Sequence, residues 1–88
     1  NPSKMFDYAQ QASNLALKIG FKKGLASAYR QSGIAQYTQG NFTEALDFFS
    51  KALAVNEQID DKKGIIACLS NLGSVNMVQN NYPLALDY

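Results

Sequence analysis

Apolar residues fall on helical spacing along almost the whole chain, and one stretch shows the repeating unit most clearly. From Gly24 to Leu53 the sequence reads GLASAYRQSGIAQYTQGNFTEALDFFSKAL. Its second half sets Phe42, Ala45, Leu46, Phe49, Ala52 and Leu53 at i, i+3, i+4, i+7 spacing, the mark of an amphipathic helix. In the first half, Gly33 interrupts an apolar-periodic run, where a glycine costs about 1 kcal/mol relative to alanine. A helix keeps such a residue where something must approach its backbone closely, and Phe42 and Phe49 are the expected fillers. Small Ala45 and Ala52 would let the two backbones close up. Gly40-Asn41 is a turn signal, with Asn41 or Thr43 placed to cap the second helix. The stretch predicts a two-helix hairpin.

The remainder consists of partial copies of this hairpin. Laying residues 1–48 over 41–88, a shift of 40, gives 13 identities in 48 pairs, where random pairing would give roughly three. The matches include Asn1/Asn41/Asn81, Ala12/Ala52, Lys22-Lys23-Gly24/Lys62-Lys63-Gly64, Gly33/Gly73 and Ala45-Leu46-Asp47/Ala85-Leu86-Asp87. A period of this size means a stacked array, in which no unit buries its apolar face alone.

On this reading residues 1–20 are the second helix of a preceding unit. Pro2 opens it, Gly20 stops it, and Met5, Phe6, Ala9, Ala12, Ser13, Ala16 and Ile19 form its inner stripe. Residues 24–60 are a complete unit, with helices at 24–39 and 42–59. Residues 64–88 are the first helix of the next unit and the start of its second. Helix 64–79 would turn Ile65, Leu69, Leu72, Gly73 and Asn76 towards its partner. A turn at Asn80-Asn81 would lead into a truncated fifth helix at Pro83. The expected fold is all-α: a right-handed superhelical stack of antiparallel hairpins, with four full helices and a stub. Since the chain stops inside an expected helix, it reads as part of a longer array.

These residues resemble the tetratricopeptide repeat, whose pattern is W-x2-L-G-x2-Y, then A-x3-F, then P. Tyr29-x2-Ser32-Gly33 and Leu69-x2-Leu72-Gly73 cover the first block, and Ala45-x3-Phe49 the second. Gln36 and Asn76 replace the tyrosine, Ser32 replaces a leucine, and Glu57 stands at the closing proline. Without that proline the second helix runs about a turn longer, which fits a 40-residue period. Units of that length resemble those of bacterial sensor-kinase and cyclase arrays, kinesin light chains and Pins-like adaptors.

Composition narrows the functional classes. With 47% apolar and 17% charged residues the 88-residue chain is globular, and it is long enough for one modest core. A net charge of +1 gives no reason to expect nucleic acid or an anionic membrane as partner. One cysteine and no histidine exclude an internal disulfide and remove the commonest metal ligand and general base. A reducing, cytoplasmic setting follows as the default, with no cofactor and no enzymatic activity expected. Cys68 aligns with Ala28 and reads as a small core residue. Glu44 and Asp47 suit the first turns of a helix, and Asp60-Asp61 and the lysine pairs read as solvated loops.

A helical wheel with Gly33 facing its partner puts Ser27, Arg30, Gln31, Ile34, Tyr37 and Thr38 on another face. Their counterparts are Ala67, Ser70, Asn71, Ser74, Met77 and Val78. The resemblance implies that this face lines a concave groove for a peptide or partner helix. Some members clamp a C-terminal carboxylate there; Arg30 and Asn71 suit two of the places, whereas Ile34 stands where an asparagine is needed. The implied function is a protein–protein interaction module within a larger signalling protein. The alternative is a structural spacer or oligomerisation segment that stacks end to end. Either way, array ends without polar caps should self-associate.

Overall fold

The computed structural model describes the backbone of residues 1–87 and the side chains of residues 1–79. Four helices follow one another: α1 Pro2–Ile19, α2 Lys22–Thr38, α3 Phe42–Gln58 and α4 Lys62–Asp87. No strand occurs among the described residues. Each helix packs on the next in sequence, and α2 also touches α4.

The three turns between helices share one backbone design. Phe21 N–H donates to Ala16 O at 2.8 Å, Asn41 N–H to Gln36 O at 2.8 Å, and Asp61 N–H to Asn56 O at 2.9 Å. Each is the six-to-one closure that satisfies a carbonyl left over at a helix end, and it requires one left-handed residue. Gly20 (φ 72°) and Gly40 (φ 82°) supply it without strain; Asp60 (φ 54°) supplies it with a side chain. The turns recur every 20 residues, half the sequence period.

Helix starts differ more. Asn1 caps α1 by accepting from Ser3 N–H at 3.0 Å. Asp61 caps α4 by accepting from Gly64 N–H at 3.1 Å, so it does more than solvate a loop. The cap expected from Asn41 or Thr43 is not formed. Instead the Asn41 amide reaches back across the turn and donates to Gln36 Oε1 at 2.8 Å. Lys22-Lys23 and Lys62-Lys63 belong to the first turns of α2 and α4 rather than to loops. The closure leaves too few residues for a longer linker.

The α2–α3 hairpin is built as its sequence predicts. A Cβ on Gly33 would lie 2.6 Å from two ring carbons of Phe49, so only glycine admits the ring. Phe49 is 1% exposed, and Ala45 and Ala52 are fully buried. Burying a ring of this size contributes about 1.5–3 kcal/mol. Val75 of α4 completes the cluster, with Ile34, Tyr37, Phe42, Leu46 and Leu72 packed around it. A second cluster joins Ala16, Leu25, Ala26 and Val55, flanked by Tyr29.

Three departures concern the outer helices. On α1, Ala9, Ser13 and Ala16 are buried, but Ala12 and Ile19 of the expected inner stripe face solvent. On α4, Cys68 and Val75 are buried, whereas Leu69, Gly73 and Asn76 are exposed. The residues that pack on α3 are thus not those matching α2's contacts with its own partner. The truncated fifth helix is also not shown, because α4 runs on to Asp87. Extending a helix adds one hydrogen bond per residue, whereas a short separate stub would need its own costly nucleus. The side chains from Asn80 onward lie outside the described residues.

Candidate functional site

The face predicted from the helical wheel lies where α2 and α4 run side by side. Its centre is a cavity of about 270 Å³ lined by Ile34, Tyr37, Phe49, Asn71 and Ser74. Four of these five belong to the predicted groove. Phe49 belongs to α3 and contributes the same ring that rests on Gly33. Tyr37 is held in turn by an edge-to-face contact with Phe42, ring centroids 5.5 Å apart, a geometry favoured by the ring quadrupoles.

A second, smaller cavity of about 160 Å³ lies towards the start of the two helices. Ser27, Arg30 and Ala67 of the predicted face line it, together with Lys23, Asn56 and Asp61. Arg30 joins the two cavities: its Nε donates to Asn71 Oδ1 at 2.7 Å. That bond fixes the guanidinium plane across the α2–α4 seam and leaves the terminal N–H groups for other acceptors. It also sets the Asn71 amide, whose NH2 group points away from the bond it accepts.

The other predicted residues are not gathered there. Gln31 lines a different cavity, between α1 and α2, which Ser27 also borders. Thr38 is exposed and spends its hydroxyl on Ile34 O at 2.9 Å. Ser70 is exposed, with its carbonyl accepting from Ser74 Oγ at 3.1 Å. Met77 is exposed and lines none of these cavities. The wheel treats the helix as isolated, so it cannot separate residues at the α2–α4 seam from those one position further round.

Asn56 was not anticipated. It is buried, donates from Nδ2 to Cys68 Sγ at 3.4 Å, and leaves no room for a Cβ on Gly64. Its counterpart one period earlier is Ala16, so the repeat gives no hint of it. The matching glycines do not reveal it either: a Cβ on Gly24 would meet Phe21, whereas one on Gly64 would meet Asn56. Burial pushes the Cys68 thiol above its usual range, against the smaller opposing effects of the Asn56 hydrogen bond and the Arg30 charge. A thiol so placed is a poor nucleophile. No group of three His, Cys, Asp or Glu side chains suited to a metal occurs among the described residues. Nor is any described helix long and apolar enough to cross a membrane.

The family profile described as tetratricopeptide repeat matches residues 24–88, well over half of the chain. The chain belongs to the tetratricopeptide-repeat family. The match begins at Gly24, where the complete hairpin begins in the sequence. Comparisons with curated proteins and with solved structures return no match. Repeats of this family generally mediate protein–protein interaction and are typically non-catalytic. In this tetratricopeptide array the serine at the family's leucine position has a concrete partner. Ser32 is fully buried, accepts from Gln10 Nε2 of α1 at 3.1 Å and donates to Ala28 O at 3.0 Å.

Proposed function

We propose that this chain is a protein-interaction module that holds a segment of another protein along the α2–α4 seam. The observation that carries the reading is the Arg30–Asn71 bond, which ties an aromatic-walled cavity to a fixed guanidinium. Ile34, Tyr37 and Phe49 suit an apolar side chain. Asn71 and Ser74 at its edge suit a peptide backbone, and Arg30 suits a carbonyl or carboxylate beyond it. Ser27 and Ala67 extend the surface. The module works as part of a larger, cytoplasmic regulatory array, and two units alone bind weakly.

A peptide-display selection against the 88-residue chain supplies the ligand for the test. Arg30→Ala and Asn71→Ala are then compared with the parent for binding and for melting temperature. Binding lost with folding intact is the expected result. Lys51 lies on the other side of the hairpin, paired with Asp47 at 3.4 Å. If both seam variants bind normally while Lys51→Ala abolishes binding, the surface lies there and the seam reading is wrong.

A further inference from the structure

The smaller seam cavity, about 160 Å³, contains a polar atom with no partner. Asn56 lines it from α3 and is only 5% exposed. Its Nδ2 donates to Cys68 Sγ at 3.4 Å, but its Oδ1 accepts no hydrogen bond among the described residues. Every fully enclosed side-chain nitrogen or oxygen there does have a partner. The Asn56 oxygen must therefore touch open space, and the space beside it is this cavity. Gly64 keeps that approach possible, since a Cβ on it would lie 2.6 Å from both Cγ and Oδ1 of Asn56. A buried carbonyl oxygen left without a donor costs about 1–3 kcal/mol. Only solvent or a ligand can supply one here.

The other groups around the cavity select the ligand's chemistry. Asp61 is half-buried and uses Oδ1 to cap α4 through Gly64 N–H at 3.1 Å, which holds its carboxylate in place. Arg30 is tied by Nε to Asn71 and keeps its terminal N–H groups. Lys23 stands exposed at the opening. Acceptors at Asn56 and Asp61 thus lie in one small space with donors at Arg30 and Lys23. A carboxylate entering it would meet Asp61 and bring no N–H for the Asn56 oxygen. An ammonium would meet Arg30 and Lys23. A primary carboxamide is neutral, carries two N–H donors and one acceptor, and costs far less to bury than either ion. The set belongs to this junction alone in the repeat: one period earlier Asn56 and Asp61 are Ala16 and Phe21.

We infer that this cavity takes the side-chain carboxamide of an asparagine or glutamine in the bound segment. Its NH2 group donates to Asn56 Oδ1 and to Asp61, and its oxygen accepts from Arg30. The inference rests on the proposed seam site, because one segment has to reach both cavities. Phe49 of the apolar cavity lies two helical turns from Asn56, and Asn71 lies two turns from Gly64. That separation is about 10 Å along a helix axis, which about three residues of extended chain cover. The apolar cavity then supplies contact area, and the carboxamide cavity supplies the choice of sequence, since a mismatched side chain leaves the Asn56 oxygen unpaired.

The test selects a displayed library of random peptides on the 88-residue chain and keeps the binders that Asn71→Ala loses. These seam ligands should share an asparagine or glutamine at a fixed spacing from a large apolar residue. In synthetic peptides, replacing that carboxamide residue by Glu, Lys or Leu should weaken binding about tenfold or more, the effect of one buried polar group left unpaired. On the protein side, Asn56→Ala installs the residue that the repeat carries at the buried Ala16. It should weaken the carboxamide peptide and leave the Leu peptide unchanged, the coupling expected of two groups in contact. Circular dichroism checks its folding; if it unfolds, the peptide series on the parent chain decides alone. Seam ligands with no shared carboxamide overturn the inference and leave the seam site standing. So does a Glu, Lys or Leu peptide that binds as well as the original, which would mean a carboxylate on Arg30, a cation on Asp61 or a cavity filled by solvent only. If no binder is recovered, or none depends on Asn71, the seam site itself fails and this inference falls with it.

Discussion

Gly33 and Gly73 occupy the same position of the repeat, one period apart, and meet opposite surroundings. A Cβ on Gly33 would run into the Phe49 ring, whereas a Cβ on Gly73 would have nothing within 4 Å. Neighbouring positions behave likewise. Ala26 is buried where Ile66 is exposed, and Val55 is buried where Leu15 is exposed. Four helices of one pattern therefore divide into an inner hairpin covered on both flanks and two outer helices covered on one. The apolar stripe on a repeat helix is an address for a neighbour, and burial follows only where the neighbour lies against it. In a one-dimensional array stability is then concentrated at the middle, where nearest-neighbour interfaces add.

The sharpest way to break this comparison is to make the same substitution at both glycines. Gly33→Leu must displace the Phe49 ring, and overpacking of this kind costs about 1–3 kcal/mol. That is a large part of the margin available to a domain of this size. Gly73→Leu places its side chain in open space and removes a helix-interior glycine, so it should stabilise by up to about 1 kcal/mol. Ala45→Leu should behave like Gly33→Leu, since Ala45 is fully buried in the same interface. Thermal melts of the three variants check this. Equal melting temperatures for Gly33→Leu and Gly73→Leu would remove the distinction between inner and outer helices.

A smaller effect is expected at the turns. The left-handed position is glycine at residues 20 and 40 but Asp60 before α4. A left-handed conformation costs an ordinary L-residue roughly 1–2 kcal/mol, and less for aspartate, so Asp60→Gly should stabilise by about 0.5–1 kcal/mol. A chemical-denaturation midpoint that rises with unchanged slope would confirm it. The complementary change Gly40→Asp should lower the midpoint by a similar amount, which makes the inner and outer turns interchangeable in this respect.

The parts read correctly from sequence are those decided within one hairpin. Gly33 against Phe49, the small Ala45 and Ala52, and the stop at Gly20 all depend on residues within one unit. Of the candidate face, the helical spacing pairs Ile34 with Tyr37 on α2 and Asn71 with Ser74 on α4, and packing between units brings the two pairs around one cavity. What escaped depends on relations between units. Ala12, Ile19 and Leu69 look like core residues by spacing, and no pattern within the helix reveals which side has a neighbour. Ser32 departs from the family pattern because Gln10 of another helix bonds it. Asn56 is invisible because it breaks the repeat. The continuation of α4 depends on the balance between extending one helix and nucleating another, which local turn residues at Asn80-Asn81 do not decide.

The smallest effect concerns two adjacent residues of α4 on opposite sides of the boundary. Cys68 is fully buried against α3, and Leu69 faces solvent. Burial holds the folded-state thiol above the value it has in an unfolded chain. The sign then follows from linkage: the folded protein keeps its proton where the unfolded chain has already lost it. Stability from this group is complete at neutral pH and falls as pH rises through the ordinary thiol value of about 8.5 towards the raised native one. Lysines and tyrosines titrate nearby, so the measurement is the difference between the parent and Cys68→Ala. Alanine is what the chain itself carries at the equivalent Ala28, which is also buried. The parent should lose more stability than Cys68→Ala between neutral and alkaline pH. A thiol reagent should react with Cys68 at a rate set by opening of the α3–α4 interface, slowing further if α4 is covered from its other side. A cysteine introduced as Leu69→Cys should instead react immediately. Rapid reaction at both positions would mean that α4 is no better held on its inner face than on its outer one, and the division drawn between covered and uncovered stripes would fail there first.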